Sequence, residues 1–377
     1  VIYLDNNATT RIDPQVLQAM ADCWDAGPVN PASQHGGGQQ ARRILEDARL
    51  RILRGLGART SGMLADRLVF TSGGTEANNL ALLGLARPGQ QVLISAVEHP
   101  SVMAAAGRLA QLNIDVRQIA VDAAGVVDLD ALAGLLRRQP TSLVAVMAGN
   151  NETGVIQPIA AIARLVHAAG ALFHCDAVQW VGKLPTEFAA WEADSLAVGC
   201  HKFHGPAGVG GLCLRAGLLP QPLLFGGFQE EGLRPGTVPL PLVVGFAAAM
   251  DLFDASVGPR LAAGRDRLEQ GLLARVTDVR VNGAAAPRLP HTTNLAFLGA
   301  DRQALLLAAD AHGLCVSAGS ACASGSSEPS PTLVAMGLSP DVIRSSLRLS
   351  VARDSTAADL DTAIEILCQV VARSRRV

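Results

Sequence analysis

The chain has 377 residues, 49% of them hydrophobic and 17% charged, with a formal net charge of −2. This suits a folded chain with a sizeable core and lacks the basic excess by which nucleic-acid binders hold phosphates. The longest apolar runs, such as "LVVGFAAAM" at 242–250, fall well short of the ~20 residues that span a bilayer, so no membrane helix is predicted.

The opening "VIYLDNNATT" has no basic stretch leading into an apolar one, so no signal peptide is expected and the cytoplasm is the expected location. From about residue 40 to 215, helix-like stretches ("QQARRILEDARLRILRGL", "TEANNLALLGLA", "HPSVMAAAGRLAQL", "LDALAGLLRRQ", "AAIARLVHAAG") alternate with short apolar runs ("RLVFTS", "QQVLIS", "DVRQIAV", "SLVAVMA", "ALFHCDA", "SLAVGC", "GVGGLCLR"). Strand and crossover helix in repetition predict an α/β fold with a mostly parallel or mixed sheet. The Gly/Pro-rich "GGFQEEGLRPGTVPLP" at 226–241 interrupts the pattern. A long helical stretch follows, then a mix of strands ("TTNLAFL", "RLSVA") and helices ending at "LDTAIEILCQVVARS". The expected division is a large domain over 13–250 and a smaller α+β domain made of 1–12 and 251–377.

Seven cysteines occur without CxxC pairs or regular spacing, against both a disulfide framework and a structural zinc site, and no metal is expected. Cys175, Cys200, Cys213 and Cys368 lie in apolar runs and read as small hydrophobes, while Cys23 and Cys315 have no loop around them. Cys322, in "SAGSACASGSSEPSP" at 317–331, sits instead on a loop of small and polar residues with Gly319 and Gly325 nearby. Such a loop is expected to move, which suits a reactive thiol better than a packed one. Of 31 basic residues only Lys183 and Lys202 are lysines. Arginine stays protonated and cannot serve as an amine nucleophile, so a retained lysine invites a chemical explanation. Lys183, in "QWVGKLPTE", reads as a surface residue.

Three segments carry the chemistry. "FTSGGTEANNLAL", 70–82, is a strand end, a Gly-rich turn with Gly74, and a helix opening at about Thr75, where backbone N–H groups and a hydroxyl suit a phosphate; such a turn also starts ordinary helices. "ALFHCDAVQ", 171–179, ends a strand on Asp176, which either holds a heterocyclic nitrogen protonated or caps the next helix. "AVGCHKFHGPAGVGG", 197–211, places Lys202 between His201 and His204 before a Gly-rich turn, where a lysine can bind an aldehyde. Together they match the needs of pyridoxal 5′-phosphate: an anchor for its phosphate, a carboxylate for its pyridinium and an amine for its aldehyde.

The motifs "YLDNNATT", "SGGTEANN", "EHPSV", "NNETGVIQPI", "HCDAVQ", "HKFHGPAGVGG", "LRPGT" and "SAGSACASGSSEPSP" resemble, in order and spacing, those of the cysteine desulfurases of the nitrogen-fixation and iron–sulfur-cluster-assembly type. The likeness runs from about residue 2 to 355. It implies the fold-type I, or aspartate-aminotransferase-like, fold of pyridoxal-phosphate transferases. It implies Lys202 as the Schiff-base lysine, Asp176 as the partner of the ring nitrogen, and Gln179 and Asn150 on the ring-hydroxyl side. It further implies His99 stacked on the ring and active in proton transfer, Gly74, Thr75 and His201 at the phosphate, and Thr237 reaching in from the second subunit of a homodimer. Arg348 resembles the arginine that receives the substrate carboxylate, with Asn150 beside it, and Cys322 the thiol that takes sulfur from L-cysteine as a persulfide, leaving alanine. A sulfur-acceptor protein, such as an iron–sulfur scaffold, is the implied partner, with neither nucleic acid nor membrane involved directly. A selenocysteine lyase, another pyridoxal enzyme, or a cofactor-poor scaffold for sulfur-transfer partners is the alternative. Gly199 stands where the family usually has a phosphate-binding serine, Ala207 where a lysine is usual, Phe228 where a glycine is, and Glu231 where an arginine or bulky residue is common.

Overall fold

A computed structural model describes residues 1–27, 30–319 and 328–375. The strands are β1 (Ile2–Tyr3), β2 (Arg67–Thr71), β3 (Gln91–Ser95), β4 (Val116–Ile119), β5 (Thr141–Ala145), β6 (Leu172–Asp176), β7 (Ser195–Gly199), β8 (Gly210–Leu214), β9 (Val279–Val281), β10 (Thr292–Phe297), β11 (Leu314–Cys315) and β12 (Ser346–Ser350). The first four helices are α1 (Pro14–Asp25), α2 (Gly36–Gly55), α3 (Gly74–Leu85) and α4 (Pro100–Gln111).

All seven apolar runs of the alternating region become the seven strands of one sheet, in the order β2-β8-β7-β6-β5-β3-β4. The pairs from β4 to β7 are parallel, and β8 runs antiparallel to both its neighbours. β3, β5 and β7 are buried at every residue, because helices cover both faces, and burial on both sides demands continuous apolar sequence rather than alternation. On one face, α1, α2 and helix Leu240–Asp251 supply Val16, Met20, Leu45, Ile52 and Phe246 to the core. On the other, α3 and α4 supply Leu80, Ala81, Val102 and Leu109. The entry to α1 is fixed locally: Asp13 caps it by accepting from Gln15 N–H, and Pro14 at the first helical position has no N–H to leave unpaired.

A second core gathers residues from Val257 onward, including Leu261, Leu268, Leu295, Leu347 and Leu367, together with Leu4 from the start of the chain. It holds an antiparallel sheet, β12-β10-β9, and a two-stranded parallel pair, β1-β11. The N-terminal segment crosses between the cores: Asn6 Nδ2 donates to Ser350 O on β12 at 2.7 Å, and Thr10 Oγ1 donates to His201 O at 2.9 Å. Among the described residues no helix is long and apolar enough to cross a membrane, and no cluster of three or more His, Cys, Asp or Glu residues could hold a metal.

Candidate active site

In a sheet of this kind the carboxyl ends of the parallel strands open onto one edge, where ligands bind. Asp176 is the last residue of β6, Gly199 the last of β7 with Lys202 three residues on, α3 begins just beyond β2, and His99 lies just beyond β3. These ends surround a cavity of about 240 Å³ lined by Gly74, Thr75, His99, Asp176, Gln179, His201 and Lys202 from the large sheet, by Asn7 and Ala8, and by Arg348 from β12. Eight of the predicted site residues line it, and Asn7 and Ala8 of the N-terminal segment and Arg348 of β12 complete its wall.

Lys202 points its amine into this space: Nζ donates to Asn7 O at 2.6 Å and to Ala8 O at 2.7 Å. Asp176 is 5% exposed. Its Oδ1 accepts from Val178 N–H at 3.0 Å and its Oδ2 from Asn78 Nδ2 at 2.7 Å, so it does cap the turn that follows, and its carboxylate plane is held from two sides. His99 caps α4, its Nδ1 accepting from Ser101 N–H at 3.1 Å. Capping and cavity-lining are therefore compatible at His99. Burial pushes this imidazole below its ordinary value, the charges of Lys202 and Arg348 add to the effect, and Asp176 opposes it. Burial lowers His201 to about 4, with repulsion from Lys202 and Lys183 adding; it is a neutral ring at physiological pH. α3 carries no side-chain cap at Gly73, so its first N–H groups, Thr75 and His201 form the polar corner of the cavity.

Arg348 is 1% exposed. Its Nη2 bonds Asp5 Oδ1 at 2.5 Å and its Nη1 donates to Asn151 O at 3.0 Å, and its buried Nε has no partner among the described residues. Gln179 donates through Nε2 to Asn7 O at 3.0 Å, and its buried Oε1 has no partner among the described residues. Buried polar atoms without partners are costly, and two of them on one cavity wall suit a polar ligand.

Asn150 and Thr237 are not brought into this group. Asn150 turns its side chain into its own loop: Oδ1 accepts from Glu152 N–H, Thr153 N–H and Thr153 Oγ1, and Nδ2 donates to Val97 O at 3.0 Å. Its neighbours Gly149 and Asn151 line the cavity instead. Thr237 is exposed and lines a separate cavity of about 630 Å³ with Arg49, Phe228 and Glu230. Cys322 lies outside the described residues.

Lys183 is not the surface residue expected. It is 5% exposed, and its Nζ has no hydrogen-bond partner among the described residues. Burial, then repulsion from Lys202, lowers it to about 7. Helix Val257–Arg275 covers it, as the backbone of Gly258 packs against Lys183 O. Glu98, next to His99, was also missed: burial, with the Asp176 charge adding, raises its carboxyl to about 8. Asn78 and Ser101 join Asp176 to His99 through hydrogen bonds, with His174 bonded to Asn78; all three lie within the motifs "SGGTEANN", "EHPSV" and "HCDAVQ" but were given no role from them. The spacing of Asn78 three residues after Thr75 puts it on the same helix face, which was the available signal.

A family model described as aminotransferase class-V matches residues 2–362. The chain is 42% identical over 378 residues to a cysteine desulfurase of Cereibacter sphaeroides, covering 99% of this chain and 96% of that one. It is 42% identical to the cysteine desulfurase of Trichormus azollae, covering 100% of this chain and 94% of that one. Among solved structures, a NifS-like protein from Rickettsia africae superposes with a TM-score of 0.90 at 32% identity over 98% of this chain and 99% of the other. A structure described as SspA in complex with cysteine gives a TM-score of 0.82 at 30% identity over 94% of this chain and all of the other.

Proposed function

The chain belongs to the aminotransferase class-V family, and from that premise we propose that it is a pyridoxal 5′-phosphate-dependent cysteine desulfurase. The observation that carries this reading is the convergence of the Lys202 amine, the doubly held Asp176 carboxylate and the uncapped start of α3 on one cavity. Gln179 Oε1 and Arg348 Nε, buried with no partner among the described residues, are where a ring hydroxyl and a carboxylate would be satisfied, so the residues present fit the group.

Asp176 would hold the ring nitrogen, His99 the ring face, Gln179 the ring hydroxyl, Gly74, Thr75 and His201 the phosphate, and Lys202 the aldehyde carbon. When bound, the cofactor supplies an electron sink that weakens bonds around the substrate's Cα. Arg348 orients L-cysteine through its carboxylate, a planar donor matching a planar acceptor. The Lys202 amine, held over the cavity by Asn7 O and Ala8 O, takes and returns the Cα proton. The Cys322 thiolate then attacks the substrate sulfur: an S–S bond forms as the C–S bond breaks, the electron pair stays on carbon, and protonation gives alanine.

Support for Cys322 comes from the described ends of its loop. Ser330 Oγ donates to Glu152 Oε2 at 2.6 Å, and a Cβ at Gly319 would stand 3.1 Å from the same oxygen. Glu152 is the neighbour of cavity-lining Asn151, and three residues of chain reach at most about 11 Å from Gly319.

The reading includes a homodimer and a place in the cytoplasm. Phe225, Phe228 and Met63 are 88%, 94% and 102% exposed, an apolar surface suited to a second copy, and Thr237 on the same segment would then serve the partner's phosphate corner. The persulfide passes to an acceptor protein such as an iron–sulfur scaffold. The test is sulfide release from L-cysteine with dithiothreitol: Lys202→Ala and Cys322→Ala both lose it, and Cys322→Ala keeps its visible cofactor band. A Cys322→Ala chain as active as the parent overturns the thiol's role.

A further inference from the structure

Asn78 is 1% exposed and sits in α3, one turn inside the helix whose start forms the polar corner of the cavity. Its side chain has three polar bonds. One Nδ2 hydrogen goes to Asp176 Oδ2 at 2.7 Å and the other to Ser101 Oγ at 2.9 Å. Its Oδ1 faces His174 Nε2 at 2.9 Å, and His174 Nδ1 faces Ser195 Oγ at 2.9 Å.

The directions of these bonds follow by elimination. The Asp176 carboxylate accepts, so the Asn78 amide turns its Nδ2 toward it and its Oδ1, which only accepts, toward His174, which therefore carries its hydrogen on Nε2. Burial lowers this ring to about 3, so it is neutral, and Nδ1 therefore accepts from the Ser195 hydroxyl. With Asn78 Oδ1 fixed as acceptor, the amide cannot flip, and both of its N–H groups are aimed at Asp176 and Ser101. Ser101 Oγ, having accepted from Asn78, is free to donate to His99 Nδ1 at 2.8 Å. That nitrogen already accepts from Ser101 N–H, so the proton of neutral His99 is on Nε2.

We propose that Asn78 is a positioning residue whose amide oxygen is held by His174, and that this one junction sets the plane of the Asp176 carboxylate. Asp176 Oδ1 is held by a backbone N–H and Oδ2 by Asn78, so the remaining lone pairs are aimed rather than free to rotate. The inference rests on the reading of the cavity as a pyridoxal 5′-phosphate site.

The test measures equilibrium binding of pyridoxal 5′-phosphate to the full cofactor-free chain, with thermal melts as a check of folding. Asn78→Leu removes the donor to a charged acceptor and weakens binding about tenfold or more. Asn78→Asp is nearly isosteric and replaces that donor by a second carboxyl facing Asp176. Protonated, it can still donate; ionised, it repels. Its dissociation constant relative to the parent's therefore grows as pH rises from about 6 to about 9, a trend that loss of packing alone would not give. His174→Gln keeps an N–H for Asn78 Oδ1 and binds close to the parent, whereas His174→Leu behaves like Asn78→Leu. Asn78→Asp binding at a pH-independent ratio to the parent, or His174→Leu binding as well as His174→Gln, overturns the inference and leaves the cofactor reading standing. A parent chain that does not bind pyridoxal 5′-phosphate overturns the reading itself and the inference with it.

Discussion

Replacing Lys183 by methionine should stabilise the chain, and by an amount that depends on pH. The amine is 5% exposed and has no partner among the described residues. The space around it, shared with Lys202, Val257, Leu261 and Val351, is about 10 Å³, scarcely enough for one water. Its ordinary value of 10.5 falls to about 7 on folding, chiefly through burial. The unfolded chain thus binds a proton there up to about pH 10.5 and the folded chain only below about 7. Between those values the unfolded state holds more protons, so stability rises with pH, and the cost of Lys183 is greatest at pH 7 and below. Integrating that difference gives a cost of roughly 4 kcal/mol at pH 7 and under roughly 1 at pH 10. Methionine fills the volume of the lysine stem without a charge, so Lys183→Met should exceed the parent by a margin of this order that closes as pH rises. Urea unfolding at fixed protein concentration, from pH 7 to 10, reads the margin directly. A margin that stays constant over that range, or a variant less stable throughout, would mean that the amine is charged and paired, and would refute the account of Lys183 as a buried neutral base.

Gly199→Ser tests the phosphate corner: a Cβ there would meet Val178 Cγ1 at 3.4 Å and Gly74 N at 3.5 Å, ordinary contacts, so a hydroxyl can be added beside the start of α3. Pyridoxal 5′-phosphate should bind about tenfold more tightly to this variant by equilibrium titration; unchanged affinity would show that the glycine costs nothing. Glu98 is raised from 4.5 to about 8 on folding, so between those values the folded chain holds the extra proton and stability falls as pH rises. Glu98→Gln should gain on the parent over that window and hold a level margin above it, as read by thermal melts, and a margin independent of pH would refute a neutral Glu98. Phe228→Asp puts a charge on a ring 94% exposed within the segment that carries Thr237. Sedimentation should show the proposed homodimer dissociating, and a dimer unaltered by the substitution would refute an interface on this segment.

The sheet was legible because its strands are buried on both faces. The runs that become β3, β5 and β7 are buried at every residue, and the carboxyl ends of the parallel strands fall on the open edge of the sheet. That is why Asp176, Lys202 and the turn before Thr75 could be read in advance. A strand that must stay dry along its length has nowhere but its end to present a charge. α1 had no comparable mark: it buries only Val16 and Met20, and its start is fixed by Asp13 and Pro14.

Lys183 and Asn150 failed for a different reason. "QWVGKLPTE" has the composition of a surface turn, and nothing within it announces that helix Val257–Arg275, some 75 residues on, packs against Lys183 and shares a cavity with it. Asn150 stands among residues that do face the cavity, yet three donors of its own loop claim its carbonyl oxygen. Both outcomes turn on which polar atoms find partners, and partnership across the chain is set only when distant elements meet. The same holds for His174. In sequence it is one polar residue in "ALFHCDA"; in the fold its neutral ring bridges Ser195 on β7 and Asn78, whose amide reaches Asp176 and Ser101. A site of this type is therefore written twice, once in strand-end motifs that sequence displays and once in a buried polar network whose meaning depends on bond direction. Only the second decides whether Asp176 and His99 are merely present or correctly aimed.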